Sequence, residues 1–256
     1  MKLGRFTWQG QNIYGVIDGD EILSVSGNIF DKFKVGGKFC HRSDVRFLTP
    51  TDPNNLMAVG LNYIKVLEEY KKKSGREIDK PMIFTLTRSS IAGPLDKVVY
   101  PASIRDLWAY GELVVVIKKP TKLVSESEAE DYILGYTCGN DLAALDIEFG
   151  EDDGRTDRAH NFDTFTVFGP TINTEISSYD LEISLKINGE IRTKGNTRDM
   201  AFNCCRVVSH VSQFMTLGPG DVIFMGSPEG YPVSVGDKME VMIEGIGTLS
   251  NEVVSP

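Results

Sequence analysis

Residues 105–119 read RDLWAYGELVVVIKK, and in them Glu112 stands at the mouth of an almost unbroken apolar run. A carboxylate so placed can bind a cation or move protons. Tyr110 lies two residues earlier and therefore on the same face of a strand. A second acid there would begin a metal site, but the chain has a phenol. Three other stretches combine turn residues with polar groups at strand ends: GLNYIKVLEE (60–69), YTCGNDLAALDIE (136–148) and GDVIFMGSPEGY (220–231). Loops at strand ends are favoured ligand sites. They supply Tyr63, Glu69, Asp141, Glu148, Gly226 and Ser227 as candidates. Taken singly, each stretch also reads as an ordinary turn.

The elements that must hold these groups are mostly strands. Residues 1–48 alternate short apolar runs with turn residues, and IDGDEI is a hairpin signal with Asp-Gly between strands. TPTDPNN (49–55) marks a boundary, so the chain divides into a small β-rich unit, 1–52, and a larger unit, 53–256. LMAVGLNY predicts a buried strand ending in a turn, and IKVLEEYKKKS has helical spacing. Further strands follow in LVVVI, YILGYTCGND, TFTVFGP, LEISLKING, DVIFMG and DKMEVMIEGIGTLSNEV. DMAFNCCRVVSHVSQFMTL predicts one amphipathic helix, stopped by Gly218-Pro219. The pattern is a mixed α/β fold dominated by β structure.

Composition narrows the partners. The 256 residues carry a net charge of −9, which disfavours nucleic acid, because neutralising phosphates needs a basic face. No apolar run approaches the roughly 20 residues that span a bilayer, and MKLGRFTWQGQ lacks a signal-peptide core. The four cysteines, Cys40, Cys138, Cys204 and Cys205, form no C-x-x-C pair. Reduced thiols in a cytoplasmic protein are the expectation.

Order and spacing say more than any single motif. Along the chain stand Asn62-Tyr63, the apolar strand led by Glu112, G-Y-T-x-x-N-D ending at Asp141, F-D-T-F from Phe162 with Gly169-Pro170 after it, N-G-E at 188–190, G-N-T-x-D-M at 195–200, and P-G-D-V-I-x-x-G-S-P-x-G at 219–230. From Leu56 to Val253 this series resembles the fumarylacetoacetate hydrolase family, and the N-terminal segment resembles the small leading domain common there. The resemblance implies a rolled, mixed β-sheet core, a homodimer, and Mg²⁺ or Mn²⁺ held by carboxylates. It also implies chemistry on 2-oxo or 1,3-dioxo acids: C–C hydrolysis, decarboxylation, hydration or enol–keto isomerisation. A chelated cation would stabilise an enolate as a Lewis acid.

Carried over residue by residue, the resemblance finds departures at the chemical positions. The family's E-x-E metal ligands become Tyr110 and Glu112, and the third carboxylate is Asp141. With two acids of three remaining, metal binding is expected to be weakened or lost. The family's water-activating His matches Val66, and Glu69 survives without that partner. Leu86 and His160 stand for two lysines, Leu145 for an arginine, Glu148 for a glutamine, and Met225 and Ser227 for two threonines. Tyr63, Thr164, Asn196, Thr197 and Gly226 fit the pattern and stand with Tyr110 and Ser227 as substrate-binding candidates. His160, Glu148 and Glu69 are the acid–base candidates. His160 titrates near neutrality in free form and could equally be a third metal ligand or a half-exposed loop residue. Glu148 reads either as a base or as part of the acidic run DIEFGEDDGR. Tyr110 either donates a hydrogen bond to substrate or plugs the metal position.

The expected function is enolisation-type chemistry on an oxo or enol small molecule: tautomerisation, cyclisation, decarboxylation or C–C cleavage. The rivals are a catalytically silent family member that binds a small molecule or a partner, and a conventional Mg²⁺-dependent 2-oxo acid hydrolase or isomerase.

Overall fold

Alternating and continuous apolar runs turn this chain into strands almost wherever it is not turning. The computed structural model describes residues 1–150 and 156–256; the acidic run Glu151–Asp153 lies outside the described residues. The order is β1 (Lys2–Trp8), β2 (Gln11–Asp18), β3 (Glu21–Gly27), β4 (Phe33–His41), β5 (Arg46–Phe47), β6 (Leu56–Gly60), α1 (Ile64–Ser74), β7 (Met82–Leu86), β8 (Ile91–Ala92), β9 (Lys97–Val99), β10 (Leu107–Ile117), β11 (Ile133–Ala144), α2 (Leu145–Glu148), α3 (Thr156–His160), β12 (Thr166–Asn173), β13 (Glu182–Ile187), β14 (Glu190–Asn196), α4 (Cys204–Phe214), β15 (Val222–Phe224), β16 (Tyr231–Pro232), β17 (Lys238–Ile243) and β18 (Gly247–Val254).

Two sheets result. The larger runs β4-β3-β2-β1-β12-β11-β10-β15-β6-β7, and the smaller runs β14-β13-β17-β18-β9. Most pairs are antiparallel, but β15 pairs β6, β8 pairs β12 and β18 pairs β9 in parallel, so the fold is mixed and dominated by strands. β1 pairs β12 antiparallel, so the N-terminal hairpins continue the large sheet.

The large sheet is curled. Leu3 on β1 and Leu86 on β7, far apart in the strand order, share one apolar cluster with Val114, Phe168 and Phe224. The other face of β10, through Leu107, Leu113, Val115 and Ile117, joins a larger cluster with Leu185 and Val241 of the small sheet. Gly111 lets the sheets close there, since a Cβ at that position would lie 3.3 Å from Val241. Leu113 to Ile117 are fully buried. At about 1.5–3 kcal/mol per side chain, this run fixes the strand that carries Glu112.

The late helix is shorter than its sequence pattern. It starts at Cys204, capped by the Asn203 side chain, which accepts from Arg206 N, and ends at Phe214, well before Gly218-Pro219. The cap decides the start, because Asn203 meets a helix donor that has no partner inside the helix. All four cysteines are free thiols. Among the described residues, no helix is long and apolar enough to cross a membrane.

Candidate active site

Register brings the polar groups together. Across β10 and β11, Tyr110 lies opposite Asp141 and Glu112 opposite Gly139, which puts all three side chains on one face. On that face β10 turns from Val116 and Val114 to Glu112 and then Tyr110. Glu112 is 4% exposed and Asp141 1%.

The loop after β15 clamps Glu112. Gly226 N donates to Glu112 Oε2 at 2.7 Å. Gly226 has φ 79°, and a Cβ there would meet Val59 O at 2.9 Å. Glycine is thus required by both backbone angle and space. Asn62 holds the same loop, its Nδ2 donating to Met225 O at 2.8 Å and Phe202 O at 3.1 Å, while its Oδ1 accepts from Phe202 N at 3.0 Å. Tyr63 follows, 2% exposed, with its hydroxyl buried and without a hydrogen-bond partner.

His160 arrives from α3. Its successor Asn161 ties that helix end to β7, donating to Thr85 O at 3.1 Å and accepting from Thr87 N at 2.6 Å. The imidazole is thereby set against Phe84, ring centroids 4.8 Å apart. Its Nδ1 lies 2.8 Å from Asp141 Oδ2, and its Nε2 lies 3.8 Å from Glu148 Oε2. The first contact is close but off the N–H line, and the second is too long for a hydrogen bond; both are ionic. The line Asp141–His160–Glu148 joins β11, α3 and α2.

Burial and charge set the proton affinities. Burial alone would lower the His160 pKa, but Asp141 and then Glu148 outweigh it and lift it to about 10. Burial raises Asp141, and His160 works against that rise. Glu112 is pushed well above the usual carboxylate range by burial and then by Asp141, with Gly226 N–H and His160 opposing. Burial, followed by Glu148 and Asp141, raises the Tyr110 phenol. For Tyr63 the causes are burial and then Glu112. Register sets Tyr110 opposite Asp141 on the face that carries Glu112.

Other predicted site residues are occupied elsewhere. Glu69 is exposed on α1, and among the described residues no hydrogen bond or ion pair joins it to this group. Thr164, at φ 69°, accepts from Val99 N through Oγ1 at 2.9 Å. Asn196 caps a short turn by accepting from Arg198 N at 2.9 Å. Thr197 is buried and accepts from Leu181 N at 2.8 Å, while Ser227 donates to Glu229 O at 2.9 Å. The three hydroxyls and the Asn196 amide are therefore engaged by backbone groups. Phe84 and Gly230, absent from the predicted set, do touch site residues, lying against His160 and Tyr110. A Cβ on Gly230 would sit 2.2 Å from the Tyr110 ring. Nothing in an S-P-E-G turn signals a ring seated on its glycine.

The residues do not fit a divalent cation. Mg²⁺ and Mn²⁺ favour an octahedral shell of oxygens. Glu112 Oε2 is taken by Gly226 N–H, Asp141 Oδ2 faces His160, and the position opposite Asp141 is a phenol. Asp141 Oδ1, buried without a partner, is the oxygen left over. Among the described residues no three His, Cys, Asp or Glu side chains converge as a metal requires. Surface grooves of about 630 and 590 Å³, beside Met1 and Arg42 and beside Phe47 and Leu95, share no residue with this group.

Known proteins share this outline. The family model described as fumarylacetoacetate (FAA) hydrolase C-terminal matches residues 55–254, and the one described as Rv2993c-like, N-terminal matches residues 1–50. A protein of Archaeoglobus fulgidus is 38% identical over 253 residues, covering 98% of this chain and 96% of its own. Human mitochondrial oxaloacetate tautomerase FAHD2A is 36% identical over 225 residues, covering 83% of this chain and 71% of that protein. The crystal structure of 2-hydroxyhepta-2,4-diene-1,7-dioate isomerase from Mycobacterium marinum is 33% identical with a TM-score of 0.90, covering 100% of this chain and 98% of that one.

Proposed function

The chain belongs to the fumarylacetoacetate hydrolase family, and on that premise we propose that its buried group of Asp141, His160 and Glu148 moves protons between carbon and oxygen of a small oxo compound, interconverting keto and enol forms. The observation that carries this reading is the buried Asp141–His160–Glu148 line, which holds a charged imidazole among carboxylates. Tautomerase and isomerase relatives support the same reaction class.

The chemistry follows from the geometry. Asp141 engages Nδ1, so the ring presents its Nε2–H away from β11. The 3.8 Å separation from Glu148 leaves that proton free of a short hydrogen bond. A substrate oxo oxygen takes it as Glu148 accepts a proton from the adjacent carbon. The C–H electron pair becomes the C=C bond, and the carbonyl π pair becomes the O–H bond. Exchange with solvent then takes the proton from Glu148 and returns one to His160, which resets the pair; the reverse transfers carry the enol back to the keto form. Positioned acid–base groups of this kind contribute roughly 10²–10⁴-fold. No Lys or Arg stands at Leu86, Leu145 or His160 to pair a second carboxylate, so the substrate is less anionic than a dicarboxylic 2-oxo acid.

A second reading is a silent member that binds a small molecule without turnover. It is favoured by the near-complete burial of Glu112 and Asp141 and by the Tyr110 ring seated on Gly230. Deuterium wash-in followed by NMR separates the two. A panel of 2-oxo monoacids, dicarboxylic 2-oxo acids and neutral 1,3-diketones is incubated with protein in D₂O. Exchange catalysed by the wild type and reduced at least 100-fold in His160→Gln supports proton transfer. Absence of exchange above background across the panel would sink it in favour of the silent reading.

A further inference from the structure

We propose that His160 and Tyr110 together have taken over the place of a divalent cation in this pocket, so that the chain binds no Mg²⁺ or Mn²⁺ there. This concerns the cation alone and holds whether or not the pocket turns substrate over.

Register marks the position. Directly paired residues on antiparallel strands have Cβ atoms about 4.5–5.5 Å apart. Tyr110 is paired with Asp141, and Glu112 is two residues along the same face. An acid at 110 would complete a triangle of carboxylates with Glu112 and Asp141. The phenol fills that corner with a neutral group that is a poor oxygen ligand until it loses its proton.

Neither replacement can swing aside cheaply. The Tyr110 ring lies against Gly230, where a Cβ would come within 2.2 Å of Cε1 and 2.6 Å of Cζ. The only residue type that accepts the ring so close is the one present. His160 is held on Phe84 at 4.8 Å and anchored through Asn161 to both Thr85 and Thr87. Its Nδ1 stands 2.8 Å from Asp141 Oδ2, a distance at which a cation bound to that oxygen would meet the ring. Asp141 is left with Oδ1, and Glu112 with the oxygen not bonded to Gly226 N. Mg²⁺ is held by one or two carboxylates where waters complete its shell, and a face on which Glu112 and Asp141 are almost fully buried leaves little room for those waters.

The group also carries a counter-charge of its own. Isolated carboxylates taken out of water demand a counter-charge. Here an imidazole on α3 supplies it from within the chain, between Asp141 and Glu148.

The test is titration of metal-stripped, full-length protein with Mn²⁺, read by EPR of the free ion and by calorimetry. The wild type is expected to show no saturable binding up to 1 mM, on the order of the weakest affinity such a titration resolves. Tyr110→Glu combined with His160→Ala creates three carboxylates on one face and releases Asp141 Oδ2; it is expected to bind one Mn²⁺ per chain at least tenfold more tightly. Circular dichroism checks that the variant folds. If it does not, His160→Ala alone serves, with the same direction expected. One-to-one binding by the wild type that disappears in Asp141→Asn would overturn the proposal. A folded double variant as silent as the wild type would also overturn it, because the lost site would then not be due to these two residues.

Discussion

His160 Nδ1 lies 2.8 Å from Asp141 Oδ2 with both side chains buried, so a proton on His160 is worth more in the folded chain than in the unfolded one. Its folded pKa of about 10 exceeds the value of 6.5 for a free imidazole. The stabilisation is therefore complete below pH 6.5 and is lost as pH rises through about 10. Glu112 and Asp141 are also raised and act in the same direction. Urea midpoints measured between pH 6 and 10 should fall for the wild type, by a few kcal/mol at most given roughly 1.4 kcal/mol per pH unit. The fall should be much shallower in His160→Gln. An equal slope in both proteins would assign the loss to other groups.

Gly226 should not tolerate a side chain. Its φ of 79°, and the Val59 carbonyl oxygen 2.9 Å from where a Cβ would stand, leave Gly226→Ala about 1–3 kcal/mol less stable. Because the same residue donates to Glu112, ligand binding should weaken alongside. Thermal unfolding and the wash-in rate measure the two effects on one variant.

Asn62 is predicted to matter through the fold. Asn62→Ala removes three buried hydrogen bonds, to Met225 O, Phe202 O and Phe202 N. Leaving such groups unsatisfied costs about 1–3 kcal/mol each. Neighbouring losses do not simply add. A drop of roughly 5–10 °C in Tm is expected; a shift below 2 °C would show that the loop holds without it.

Gly230 and Tyr110 should be coupled. Gly230→Ala forces the ring to move, at roughly 1–3 kcal/mol. In a Tyr110→Ala background that penalty should vanish, because the clashing ring atoms are gone. A double-mutant cycle on denaturant midpoints reads the coupling directly, and additive effects would mean that the ring is free to move.

Glu69 should be dispensable. It is exposed on α1, and Glu69→Gln is expected to change wash-in less than twofold. A tenfold loss would return it to the acid–base machinery.

Much of this protein was legible in one dimension. The alternating and continuous apolar runs specified most strands, since burial of β10 and β11 on both faces requires near-unbroken hydrophobicity. The helix over Ile64–Ser74 and the turn at Gly19 were local matters of period and turn chemistry. Glu112 and Asp141 stood out as acids at the ends of apolar runs, whereas His160, at the end of α3, was singled out only by the resemblance to the family.

Contacts between distant segments were decided only in three dimensions. That Asp141 faces His160 depends on Asn161 pinning α3 to β7, and that Tyr110 rests on Gly230 depends on a loop 120 residues further along the chain. Thr164, Thr197 and Ser227 have the residue types of ligand-binding groups, yet their hydroxyls are engaged by nearby backbone. A sequence specifies which donors and acceptors exist; which of them meet is settled by register, sheet curl and the demand that buried polar groups find partners.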